Sequence, residues 1–371
     1  MIRGFSLWLD ALRALAALTV LAGHMAHIRF TGGEFYFLRE INIASDAVIV
    51  FFVLSGVVIA YAAGRDDDFG TFTFNRLTRL LSVMIPALVL TVVFDSIGTR
   101  IDMEAYPEGY YHPLPIWEMA LRGLTFTNEW QGQTDRLRLG SNGPLWSLSY
   151  EFAYYTLFAV AVFLRGLTRA VLLGLLCALI GLPILALLPA WALGVWVWHR
   201  VSADGYKPPH YAAAILMAFG APLALALCRY SNLPELLETI TYASLLPFNH
   251  HTLLGYSNEV LWNTLIALAT ALHLIGAHAL AARMRQRRIS RISKGVRWMA
   301  GGSFSLYVTH YPTMQLLDAM LPDTSWQSQL FLLFGTLIVA ALFAAIFERP
   351  LAFWRICALQ MLRRSNLVAP N

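Results

Sequence analysis

Apolar stretches of fifteen to twenty-three residues recur along the whole chain, and no other feature restricts its fold so sharply. A helix rises about 1.5 Å per residue, so roughly 20 residues cross a ~30 Å hydrocarbon core. Ten such segments are read, at 8–27, 45–63, 77–97, 145–164, 170–185, 187–201, 211–229, 259–281, 299–318 and 327–347. Lipid offers no partner to a backbone N–H or C=O, so each segment is expected to be a helix that satisfies its own backbone. The predicted architecture is all-α, a polytopic integral membrane bundle of about ten transmembrane helices. The chain is 58% hydrophobic and only 13% charged, whereas a soluble domain is typically about 25% charged.

Pro183 and Pro189 interrupt one continuous apolar run, which is either a kinked helix or a tight hairpin. Ten spans place both termini on one side. With that side cytoplasmic, inner loops and tails hold nineteen Lys and Arg residues and outer loops seven, the asymmetry of inside-positive topology. The first segment contains Arg13 and His24 and lacks a small-x-small cleavage site, so it is expected to remain as a permanent span. The longest loops, 98–143 and 230–258, are too short to bury a core of their own. One membrane domain over 1–350 and a short basic cytoplasmic tail over 351–371 follow.

Both long loops are rich in Tyr, Trp, Pro and Asn, a composition that suits stacking on sugar rings and equally suits an aromatic belt. The net charge of +5 is accounted for by the inner loops, so no nucleic acid partner is expected and the lipid bilayer is the surrounding phase. The densest basic run, 283–297, meets anionic headgroups or attracts a polyanionic ligand. Cys177, Cys228 and Cys357 have neither metal nor redox spacing, and no metal is expected. No internal repeat is visible, which argues against the two-halved plan of many transporters.

Ionisable groups inside apolar helices are costly and mark sites. Arg13 and His24 lie eleven residues apart on the first helix, close to three turns, so they share a face at a separation of about 16 Å. They cannot touch, but they can line one channel at two depths. Asp10 lies three residues before Arg13, and mutual neutralisation is its simplest role. Asp46 and Glu151 are placed at the depth of His24, where a carboxylate would orient the imidazole of a general base; a hydrated interfacial histidine is the plainer alternative. Ser55 and Gly56 lie mid-membrane in FFVLSG, where small residues let helices pack closely. Tyr307 and His310 share a face in SFSLYVTHYP, with Pro312 freeing backbone groups. Trp146 begins the fourth span, as belt or as site, and Arg76 and Arg79 share a helical face at the inner surface, as anchors or as phosphate ligands.

Together these strings resemble the acyltransferase 3 family of polytopic membrane acyltransferases. Arg13 and His24 match its Arg and His separated by ten residues. FFVLSGVVI resembles its FFxxSGFxI, PLWSLSYE its PLWSLxxE, SFSLYVTHYP its SYxxYLxHxP, and Phe347 to Pro350 its closing FE(K/R)P. Each string is weak alone, and the five stand in the family's order. Ala11 and Ala14 replace glycines, Val57 a Phe and Phe304 a Tyr. The stand-alone form, without a fused extracytoplasmic hydrolase-like domain, is expected.

The resemblance implies transfer of an acyl group, most often acetyl from acetyl-CoA, to a hydroxyl of a cell-surface carbohydrate or lipid-linked glycan, by a multi-pass protein of a bacterial inner membrane. Acyl-CoA would arrive from the cytoplasm, with Arg76 and Arg79 binding its nucleotide end. His24 would be the general base, with Arg13, Glu151 and His310 completing the catalytic set. Asp10, Asp46, Ser55, Trp146 and Tyr307 would contact substrate. A proton-coupled transporter is the competing class, since it too uses intramembrane His, Arg and carboxylates.

Overall fold

The first apolar run folds as a single helix, α1 (Arg3–Met25), without a side-chain cap at its start. Burial holds it instead: Phe5, Leu9, Ala16, Val20 and Leu21 pack inward. The structure, a computed structural model, describes residues 1–130, 138–245, 253–284, 293–321 and 323–364. Among the described residues the regular structure is helical and no β-strand forms.

The longer helices follow in order as α2 (Ile43–Ala63), α3 (Phe69–Ile101), α4 (Trp146–Phe163), α5 (Gly166–Ser202), α6 (Tyr211–Arg229), α7 (Val260–Arg283), α8 (Ser303–Ala319), α9 (Trp326–Glu348) and α10 (Leu351–Arg364). Where helices start at a loop, capping is explicit. Asp68 accepts from Thr71 N at 2.9 Å at the head of α3, and Ser325 accepts from Ser328 N at the head of α9.

Seven of these helices, α1, α2, α3, α5, α6, α7 and α9, are long and apolar enough to cross a membrane. The difference from ten has two causes. Segments 170–185 and 187–201 form the two arms of α5, which meet at Gly181. Its φ of 78° and ψ of 174° lie in a region essentially reserved for glycine. The break thus precedes both prolines, and Pro183 falls in the first turn of the second arm, where a missing N–H costs nothing. Segments 145–164 and 299–318 do form helices, α4 and α8, but α4 is less apolar and α8 only seventeen residues long. α8 buries thirteen of those seventeen residues, among them His310 and Gln315. A helix surrounded by protein need not match lipid, so its polar content is tolerated.

α1, α2 and α8 pack against one another or through shared neighbours at the centre, and α3, α5, α7 and α9 surround them. α2 and α5 approach each other closely, backbone against backbone at Gly56 and Gly194. α1 and α8 run in the same direction, because Arg13 shares a cavity with Ser303 and Phe304 while His24 packs on His310 and Tyr311. Residues 285–292 of the basic run 283–297 lie outside the described residues, as do 131–137 and 246–252 of the long loops.

Candidate active site

One cavity is walled by α1, α2, α3, α4 and α8 and lined by Arg13, Ser55, Arg76, Arg79, Glu151, Tyr155 and Tyr307. Apolar side chains of α2, including Phe51, Phe52 and Leu54, close its flank. Arg13 and Arg79 make no side-chain hydrogen bond or ion pair among the described residues, and Arg76 meets Asp66 at 3.8 Å. Glu151 is the carboxylate lining this cavity. Its Oε1 accepts from Ser55 Oγ and from Tyr155 OH, each at 2.5 Å, while Trp191 Nε1 donates to Ser55 Oγ at 3.3 Å. Three guanidiniums line the cavity against Glu151, with Asp66 beside Arg76, and leave its lining net positive, which suits phosphate or another anion.

A second group lies one turn beyond Tyr307 on α8 and three turns beyond Arg13 on α1. The rings of His24 and His310 are 5.2 Å apart, and Tyr311 meets His24 edge-on at 5.3 Å. His310 Nδ1 is 2.7 Å from the Tyr307 carbonyl and 3.1 Å from that of Leu306. Carbonyls only accept, so Nδ1 carries the proton and Nε2 keeps its lone pair. That Nε2 is buried and has no partner, and neither has Nδ1 of His24. The imidazole of His310 is therefore oriented as in a catalytic base, with a backbone carbonyl where a carboxylate is usual. Tyr307 lies between the levels: its ring faces Phe51 and His310, and its OH meets Ser147 Oγ at 2.6 Å and donates to the Pro144 carbonyl at 3.0 Å.

The backbone of α8 shows why this helix can carry the site. Pro312 has no N–H, so the carbonyl of Val308 loses its helical partner. Asn142 Nδ2 takes its place at 2.8 Å and also donates to Thr91 Oγ1 at 3.0 Å. Glu348 Oε2 accepts from Ser305 N at 2.8 Å and so satisfies a free donor at the start of the same helix. Asn142→Ala should cost about 1–3 kcal/mol, the price of an orphaned buried carbonyl. In a Pro312→Ala background the restored N–H would take that carbonyl and the cost should shrink. Thermal unfolding of the four proteins in detergent measures the coupling, and equal costs in the two backgrounds would refute this account.

A model of the acyltransferase domain family, acyltransferase 3, matches residues 6–346. The chain belongs to the acyltransferase 3 family. It is 31% identical over 154 residues to acyltransferase MdmB of Streptomyces mycarofaciens, covering 40% of this chain and 37% of that protein. It is 29% identical over 155 residues to an O-acetyl transferase of Shigella phage Sf6, covering 41% of this chain and 45% of that one. The chain thus spans less than half the length of either curated relative that it matches. No solved structure matches it.

In this acyltransferase 3 chain most of the residues read from sequence fall into two places. Arg13, Ser55, Arg76, Arg79, Glu151 and Tyr307 share the cavity, and His24 and His310 pair beyond it. The expected grouping of Asp46 and Glu151 about His24 does not form. Glu151 is held by Ser55 and Tyr155, and Asp46 sits in a separate cavity against α6 and α7, accepting from Trp262 Nε1 at 3.1 Å and facing Arg229 at 3.8 Å. The expected Asp10–Arg13 contact is not made within 4 Å among the described residues; Asp10 lies in the field of Arg13, Arg297 and Arg79 together. Trp146 stacks on Tyr256 at 4.5 Å and packs edge-on against Tyr150 and Phe52, outside the cavity lining. Sequence reasoning missed Tyr155, although its place four residues after Glu151 puts both on one helical face. It also missed Asn142, for which the orphaned carbonyl implied by Pro312 was the available signal.

Proposed function

We propose that this protein is a membrane-embedded O-acyltransferase that moves an acyl group, acetyl in the simplest case, from acyl-CoA to a hydroxyl of a cell-surface carbohydrate. The observation that carries the reading is the division of labour along α1. A positive cavity lies at Arg13, and a pair of histidines with unpartnered nitrogens lies at His24, about three turns further on. A donor with a phosphate-rich end and a reactive end on a long arm needs that separation. Arg76 and Arg79 bind the phosphates by charge-assisted hydrogen bonds, and the thioester extends past Arg13 toward His24.

There the acceptor O–H gives its proton to His24 as the oxygen bonds to the thioester carbonyl carbon. The C–S bond then breaks, the thiolate leaves, and the imidazolium returns the proton to sulfur. Ester and free CoA are the products. Glu151 keeps Ser55 and Tyr155 in place, and Arg13 stabilises negative charge on the donor. In this reading the protein sits in a bacterial inner membrane with the arginine level toward the cytoplasm, where acyl-CoA is made.

The test is release of CoA from acetyl-CoA by the protein in proteoliposomes, with a panel of glycan acceptors. Acceptor-dependent release is expected from wild type. Arg79→Gln should raise KM for acetyl-CoA about tenfold with a smaller change in kcat, since one charged contact to phosphate is lost. Failure to bind acetyl-CoA, with no CoA released from any acceptor, would instead favour the proton-coupled transporter.

A further inference from the structure

The rim around His24 holds cations whose hydrogen-bond and ring partners among the described residues are all neutral. Tyr311, edge-on to His24 at 5.3 Å, has the guanidinium of Arg138 at 5.8 Å and that of Arg29 at 6.0 Å from its ring centre. The ring of Tyr110 takes the same two arginines, at 5.7 Å and 5.3 Å. Two like charges therefore share two aromatic rings and repel each other. Arg138 donates to the Tyr110 carbonyl at 2.8 Å, and Arg29 donates to the Ala105 carbonyl and to Gln315. Arg29 Nε is buried without a partner. Arg39, in the short helix Phe37–Glu40 that packs against α1, completes the group, its charge acting on both His24 and His27.

No carboxylate lies within 4 Å of Arg29, Arg39 or Arg138 among the described residues. Asp318 on α8 is influenced by Arg29 but stands beyond that distance, with Asp102 adding to its own surroundings. His27, half-buried in the loop after α1, supplies no negative charge either. Its Nδ1 accepts from Arg29 N, so Nε2 donates to Tyr110 OH at 3.0 Å. Burial first, and then the charges of Arg39 and Arg29, hold its imidazole down at about 4, so it is neutral at physiological pH.

A general base becomes a cation when it takes its proton, and a neighbouring anion ordinarily stabilises it. Here the side-chain charges that act on His24 include those of Arg39 and Arg138 and no carboxylate. We propose that the missing counter-charge belongs to the acceptor: it carries a phosphate or a carboxylate, seated against Arg29, Arg39 and Arg138 with the hydroxyl to be acylated at His24. This deepens the acyl-transfer reading above and rests on it. Guanidiniums bind either anion with two parallel hydrogen bonds, and the tyrosine faces offer a platform for the adjoining sugar ring.

The experiment measures equilibrium binding and acetyl-CoA-dependent acylation by the full-length protein in nanodiscs, with two matched probe pairs. These are mannose 6-phosphate against mannose, and tetragalacturonate against its methyl ester. One charged member should bind about tenfold or more tightly than its neutral twin, with the preference shrinking as salt rises. The pair that responds distinguishes phosphate from carboxylate. Arg39 makes no side-chain hydrogen bond among the described residues, so Arg39→Gln removes charge without opening a contact among them. It should cut the preference about tenfold, and Arg39→Lys should restore part of it. Arg169→Gln, exposed on α5, should leave the preference as it is. Equal binding of charged and neutral members in both pairs, or an undiminished preference in Arg39→Gln, would overturn the proposal. A charge preference without CoA release from any acceptor would refute acyl transfer and keep the anion seat; CoA release without the preference would do the reverse.

Discussion

Gly194→Leu is expected to abolish the folded protein. A Cβ at Gly194 would stand 1.9 Å from the Val53 carbonyl oxygen and 3.0 Å from Val57 N, and one at Gly56 2.1 Å from the Trp191 carbonyl oxygen. Every one of these neighbours is backbone, so no rotamer change relieves the overlap and α2 must move away from α5. Overpacking costs about 1–3 kcal/mol where side chains can adjust. Here neither wall can, and the expected loss exceeds that range against a total stability of about 5–15 kcal/mol. The site fails with the packing, because Ser55 adjoins Gly56 and takes its hydrogen bond from Trp191 on the opposing helix. Size-exclusion profiles and thermal unfolding in detergent measure this. Gly194→Ala should be a milder version, and Gly174→Leu on the first arm of α5, where a Cβ meets nothing within 4 Å, should be near neutral. A monodisperse Gly194→Leu protein melting with wild type would show that the α2–α5 contact is softer than its geometry.

The same pair of helices shows how far the sequence could be read. FFVLSG identified Gly56 as a packing residue, since a small residue in an apolar helix has few other uses. Its partner Gly194 lies 138 positions away in a run that is apolar on all sides, and nothing local marks which face of α5 it occupies. The all-helical class was legible because lipid imposes one solution on every long apolar run. The helices α4 and α8 were legible as helices too, but their polar residues were read at depths measured along a bilayer, when burial against neighbouring protein decides their surroundings. Depth alone therefore groups Glu151 with His24. Depth is one coordinate, and the azimuth that turns Glu151 toward Ser55 and Asp46 toward Trp262 depends on how α4 and α2 rotate against their neighbours. Arg13 and His24 escaped this ambiguity because they share one helix, whose 3.6-residue period fixes both separation and face. The rim cations Arg29, in the single helical turn Ile28–Thr31, and Arg138, in a loop, lie in segments too short for periodicity, and their meeting on Tyr110 and Tyr311 exists only in three dimensions.

Replacing His24 with alanine should lower kcat for acyl transfer by about 10²- to 10⁴-fold, the usual contribution of a positioned acid–base group. KM for acetyl-CoA should change little, because the proposed phosphate ligands Arg76 and Arg79 share their cavity with Arg13, which stands roughly 16 Å from His24 by helix rise. The loss therefore has the opposite signature to that of Arg79→Gln, and steady-state kinetics on the two proteins separates the two levels of the site. His310→Ala tests whether the ring pair is one unit. His310 is almost wholly buried, with its Nε2 lone pair unspent beside the partly exposed ring of His24. If the two rings handle one proton between them, the double variant should be hardly slower than His24→Ala, since residues that act as a unit are strongly non-additive. Independent, multiplying losses would place His310 in a packing role and leave His24 as the sole base. An unchanged kcat in His24→Ala, with folding intact, would remove the proton-transfer step from this level altogether.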